Sequence, residues 1–260
     1  MYRITNRAAK RFATPLAIAI IPLFSGSFPG DDLRSQSPTP TLRVLFIGNS
    51  LTYTNDLPSI IQAFAHAAAQ KPLVFKAVVF GGYSLEDHWN QGESRAAIAN
   101  GGWDFVVLQQ GPSASSEGRR SLLDYARLFD HEIRKIGATP ALYMVWPGSN
   151  RQQDFEGVSK SYSLAAVEVN GLLLPAGDAW RIAWKLDPQF ALYSADGLHP
   201  TVTGSYLAGL VIYSQLYKSS PVGLPARLNL RSGTKIEIPS DRARLLQEAA
   251  TKAIEALAKS

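Results

Sequence analysis

Three side chains in this sequence have the types that covalent acyl transfer needs: Ser50, Asp196 and His199. A hydroxyl attacks a carbonyl carbon when a base takes its proton, and an imidazole serves as that base when a carboxylate holds its tautomer. Ser50 sits in Ile47-Gly48-Asn49-Ser50-Leu51-Thr52, where Gly48 permits a tight turn directly after an apolar run. Asp196 and His199 sit three residues apart in Ser194-Ala195-Asp196-Gly197-Leu198-His199-Pro200. On a turn, that spacing lets the carboxylate reach the imidazole N–H. Each segment also has a plainer reading. Gly-Asn-Ser is a common polar turn, and Asp196 suits a helix N-cap.

Hydroxyl and imidazole are some 150 positions apart, so the fold must bring them together. The chain alternates short apolar runs with helical segments. Leu42–Ile47, Leu73–Phe80, Phe105–Leu108, Ala141–Trp146 and Leu172–Leu174 read as strands. Leu57–Ala69, Glu117–Ile136, Val158–Val169, Thr201–Tyr217 and Asp241–Ala258 read as helices. Such alternation predicts βαβ units, with a parallel sheet covered by helices on both faces. In such sheets, ligands gather beyond the carboxyl ends of the strands. The loops beginning at Gly48, Gly81, Gln109 and Pro147 are therefore where chemistry is expected.

Taken in order, these blocks resemble the SGNH/GDSL hydrolase superfamily over roughly Leu42 to Tyr217. Gly48-Asn49-Ser50 matches the nucleophile block and Asp196-Gly197-Leu198-His199 the acid–base block. Gly81-Gly82-Tyr83-Ser84-Leu85 resembles the second block, whose Gly lends a backbone N–H to the oxyanion hole. The resemblance implies a three-layer α/β/α sandwich, flavodoxin-like, around a parallel sheet of about five strands. It also implies ester hydrolysis with Ser50, Asp196 and His199 as triad, and Ser50 and Gly82 as oxyanion donors. There are two departures. Asn49 stands where the superfamily usually has Asp, and Ser113 stands where its third block usually has Asn. Resemblance to carbohydrate-esterase members that use a Gln there makes Gln109 or Gln110 the expected third donor. Acetylated carbohydrate is then the preferred substrate class, with no cofactor and no metal. A non-catalytic glycan-binding protein on the same scaffold and an acyltransferase are the alternatives.

Other candidates are weaker. Tyr53, His88 and Trp146 fall in or near the active-edge loops and are expected to bind substrate. Tyr83 and Trp89 lie there too. His66 and His131 lie in helices and read as packing or surface residues. Glu86, Asp87 and His88 are adjacent and do not converge on one ion without further ligands.

Composition narrows the classes further. The chain has 260 residues, 46% of them hydrophobic, enough for one substantial core. Its formal charge of +5 falls to +1 without Arg3, Arg7, Lys10 and Arg11, so no basic face for nucleic acid is indicated. Those residues precede an apolar run from Phe12 to Phe24 and the small residues Ser25-Gly26-Ser27, the pattern of an export signal. Residues 1–27 are read as this signal, or as an anchor if uncleaved. Residues 28–41 read as a flexible linker and 42–260 as the hydrolase domain. The expected location is bacterial periplasm or extracellular space. The absence of Cys excludes disulfides, thiol catalysis and a lipoprotein anchor.

Overall fold

The computed structural model describes residues 40–259, and the signal segment expected at 1–27 lies outside them. Five parallel strands form the central sheet: β1 (Leu42–Gly48), β2 (Leu73–Val79), β3 (Phe105–Leu108), β4 (Thr139–Tyr143) and β5 (Leu172–Leu174). Their order is β2-β1-β3-β4-β5. Burial follows from that order. Val44, Leu45, Phe46 and Ile47 of the interior strand β1 have no exposed surface, as expected for a strand covered on both faces. The edge strand β2 carries the exposed Val74 and Lys76.

The helices are α1 (Ser50–Tyr53), α2 (Leu57–Ala67), α3 (Leu85–Gln91), α4 (Glu93–Ala99), α5 (Ser116–Lys135), α6 (Phe155–Glu168), α7 (Ala176–Leu186), α8 (Val202–Tyr217) and α9 (Ser240–Leu257). Helices α3, α4 and α6 pack against α5, while α2, α7 and α9 pack against α8. The sheet lies between these layers, giving a three-layer α/β/α sandwich. Twelve of the sixteen residues of α8 are buried, which is why that segment is apolar on every side. No helix among the described residues is long and apolar enough to cross a membrane.

Four features differ from the expected elements. Strand β4 ends at Tyr143, where Met144 N makes a last bond to Leu174 O at 3.1 Å, and the chain runs on buried through Trp146. Helix α7 and the short pair α3–α4 were not expected, nor was the antiparallel hairpin β6 (Arg227–Asn229) and β7 (Lys235–Glu237). Helices α3 and α4 and the two hairpin strands are short, and tertiary packing stabilises them more than any periodic pattern does.

Strand order is what positions the site. From β1, the chain goes to β2 on one side, and later to β3 on the other. This reversal opens a crevice beyond the carboxyl ends of β1 and β3. Gly48 ends β1 and the Gln109–Ser113 loop follows β3 at this point.

Candidate active site

At the end of β1, the backbone turns sharply into α1. Asn49 is the N-cap, its Oδ1 accepting from Leu51 N at 3.1 Å. Ser50 is therefore the first helical residue, half-buried, with its backbone N–H engaged by no hydrogen bond among the described residues. Gly48 admits no side chain, because a Cβ there would come within 2.6 Å of Thr52 Oγ1 and also strike Gln109.

Asn49, found where the superfamily usually has Asp, is suited to its surroundings. Its Nδ2 donates to Tyr83 O at 2.9 Å, while Oδ1 accepts from Leu51 and from Gln109 Nε2. A carboxylate in its place would set a negative oxygen against the Tyr83 carbonyl at a site only 6% exposed. Asn49→Asp is expected to destabilise the fold by about 2 kcal/mol, read as a lowered denaturant midpoint at unchanged slope.

Asp196 and His199 are brought together. His199 Nδ1 lies 2.5 Å from Asp196 Oδ2. The other oxygen, Oδ1, accepts from Leu198 N at 2.8 Å, His199 N at 2.9 Å and Ser194 Oγ at 2.8 Å. These bonds, Leu198 N foremost and then the His199 ring, hold the Asp196 carboxyl well below the usual carboxylate range. A carboxylate only accepts, so Nδ1 carries the proton and Nε2 presents its lone pair.

The acid–base loop is bonded to the Ser50 region. Asn55 Nδ2, five residues beyond Ser50, donates to Pro200 O at 3.0 Å and to Ser205 Oγ at 2.9 Å. Asn55 holds a left-handed backbone conformation to do so, with φ at 57°. Nothing in the sequence marks this residue, because an Asn in a turn carries no signal of its distant partner. Ser50 and Leu198 border the same cavity, of about 640 Å³. Among the described residues, no hydrogen bond links Ser50 to His199.

Gly82 borders the cavity as well. Its φ of 74° is glycine territory, and its N–H has no partner among the described residues. The two Gln residues depart from expectation. Gln109 is fully buried, and its Nε2 donates to Asn49 Oδ1 at 2.9 Å and Gln110 O at 2.7 Å. Gln110 Nε2 donates to Ser113 Oγ at 2.7 Å and faces Gly118 O at 3.4 Å, while its Oε1 accepts from Leu85 N. Both amide groups are engaged inside the protein, so neither Gln presents a free donor to an oxyanion. Ser113 borders the cavity with a strained positive φ of 60°.

The three expected substrate contacts are also corrected. His88 is completely buried, its Nε2 donating to Gly48 O at 2.8 Å and its Nδ1 accepting from Ser94 Oγ at 2.9 Å. Burial pushes its pKa down and keeps it neutral. It braces the turn from behind and does not reach the cavity. Asp87, its neighbour, caps α3 through Ser84, so these side chains diverge. Trp146 is likewise fully buried, stacked on Trp180 with ring centroids 3.6 Å apart. Its Nε1 donates to Leu198 O at 3.0 Å and so supports the acid–base loop from below. Tyr53 is 47% exposed, with its hydroxyl beside Gly81, and is not among the residues that border the cavity.

The fold is a doubly wound parallel sheet with a Ser turn after its first strand and an Asp-x-x-His loop before a late helix. No protein-family model and no curated protein sequence matches the chain. Solved structures do. A DUF4886 family protein from Bacteroides uniformis is 18% identical, with 83% of this chain and 95% of that chain covered, at a TM-score of 0.68. An SGNH hydrolase, described as putative, from Slackia heliotrinireducens is 27% identical over 68% of this chain and 100% of that chain, at 0.55. An acetyl xylan esterase is 18% identical over 66% of this chain and 98% of that chain, also at 0.55. The chain has the fold of the SGNH hydrolases.

Proposed function

We propose that this chain is an exported serine esterase that removes acetyl or other short acyl groups from a carbohydrate-like substrate through an acyl-enzyme. The observation that carries this reading is the bonded Asp196–His199 pair, tied through Asn55 and Pro200 to the turn that bears Ser50. His199 Nε2 takes the Ser50 proton as the hydroxyl oxygen attacks the carbonyl carbon. Asp196 stabilises the imidazolium that forms. The N–H groups of Ser50 and Gly82 receive the oxyanion, each contributing about 3 kcal/mol to the transition state. The imidazolium then protonates the leaving alcohol, and water repeats the attack on the acyl-enzyme.

The walls of the cavity support the substrate class. Ser84, Ser113, Ser115 and Ser121 border it, and few large apolar side chains do. Such a cleft suits a hydroxyl-rich ligand better than a long acyl chain. The comparison with an acetyl xylan esterase points the same way. Export rests on the basic and then apolar N-terminal segment.

A fluorophosphonate probe tests the reading directly. Labelling is expected at Ser50 alone, located by peptide mass mapping, with acetate released from acetylated xylo-oligosaccharides faster than acid from a long-chain ester. An unlabelled, folded protein would exclude the serine-esterase reading and favour a glycan-binding one.

A further inference from the structure

We infer that Gln109 is a positioning residue for Ser50, acting as a two-point clamp on the residue immediately before it; this rests on the esterase reading above. Both ends of its amide are engaged. Gln109 Oε1 accepts from Asn49 N at 2.8 Å and from Thr52 Oγ1 at 2.7 Å. Its Nε2 donates to Asn49 Oδ1 at 2.9 Å and to Gln110 O at 2.7 Å. A backbone N–H only donates and a backbone carbonyl only accepts, so Asn49 N and Gln110 O together allow just one amide orientation. That orientation in turn fixes Asn49, which must present Oδ1 to Gln109 and Nδ2 to Tyr83 O.

The consequence is a closed frame around Ser50. Asn49 is held at both its backbone and its side chain from β3, and Thr52 is held two residues further on. Gly48, one residue back, is held through its carbonyl by His88. The Ser50 carbonyl accepts from Thr54 N, while its hydroxyl has no partner among the described residues, so the direction of that hydroxyl is set by these neighbours. The frame needs Gly48, because a Cβ there would meet Gln109 Oε1 and Thr52 Oγ1. A fully buried amide with both ends satisfied is rigid, since any alternative rotamer leaves polar groups unpaired. A nucleophile misplaced by about 1 Å loses on the order of a hundredfold in rate.

Gln109 does not touch substrate, so its loss should alter the rate of attack and not the affinity. Gln109→Glu is nearly isosteric and places an oxygen against Asn49 Oδ1 and Gln110 O. The prediction is a 10- to 100-fold lower kcat on an aryl acetate, with KM within about twofold of the parent. Fluorophosphonate labelling should slow in parallel, measured on protein shown to be folded by circular dichroism. Thr52→Val removes a single strut and should lower kcat about threefold, again at unchanged KM. It also serves as the test if Gln109→Glu does not fold. Equal labelling rates in parent and folded variant would overturn the clamp while leaving Ser50 as nucleophile. A rise in KM with kcat preserved would overturn it as well, making Gln109 a binding residue. A parent protein that does not label would overturn the esterase reading itself, and the clamp with it.

Discussion

Ser50→Ala is expected to lower turnover of a short-chain aryl ester by roughly 10⁵-fold while leaving the fold unchanged. The size of the loss follows from covalent catalysis. Without the Oγ there is no acyl-enzyme, and only the oxyanion donors and the bound geometry remain to accelerate attack by water. The small effect on stability follows from the structure. Ser50 is the first residue of α1, and the cap is supplied by Asn49, not by Ser50 itself. No hydrogen bond among the described residues engages the Ser50 hydroxyl, so Ala leaves no partner unpaired. The thermal midpoint should move by no more than about 2 °C. The measurement pairs steady-state turnover with a melting curve. Activity within tenfold of the parent in the folded variant would remove Ser50 from the chemistry.

Asp196→Asn is expected to cost about 10⁴-fold in kcat with little change in KM. The reason lies in how the two carboxylate oxygens are used. Oδ1 accepts from three donors, Leu198 N, His199 N and Ser194 Oγ. An amide can satisfy those donors only with its oxygen in that place, and its NH₂ then takes the position of Oδ2 beside His199 Nδ1. The amide donates there, Nδ1 becomes the acceptor, and the ring proton moves to Nε2. His199 then has no lone pair to offer Ser50. Nitrogen chemical shifts of the imidazole report the tautomer, and single-turnover kinetics report the rate. A variant that keeps both the parent tautomer and the parent rate would separate Asp196 from the mechanism.

The central elements were legible because their burial leaves a mark on composition. Strand β1 is buried on both faces and is apolar throughout its interior, so its run from Leu42 stands out. Helix α5 has one apolar stripe, with Leu122, Ala126, Phe129 and Ile133 buried, and its period shows. Helix α7 leaves no start signal in the sequence, because Pro175 stands at its N-cap position and offers no side-chain hydrogen bond. Its tryptophans are explained by the aromatic stack with Trp146 and Tyr193, a distant contact. The hairpin β6–β7 consists of three-residue strands, each with a single buried residue, too short for alternation to register.

The site divides the same way. Ser50, Asp196, His199 and Gly82 are distinguished by residue type within a few neighbours, because turns, caps and left-handed glycines are local devices. The roles of Gln109, Gln110, His88 and Trp146 are not local. One of the two Gln amides was expected to reach the oxyanion, and His88 and Trp146 to face substrate, yet each of the four turns inward to a partner. Nothing within a loop's own sequence specifies that direction.

The sequence by itself determined the alternation of strands and helices, the glycine turn that exposes Ser50, and the short-range pairing of Asp196 with His199. Tertiary structure decided which polar side chains remain available for chemistry. A buried amide or imidazole must find partners wherever packing brings donors and acceptors within reach. At this site those partners lie up to 60 residues away, across β1 and β3.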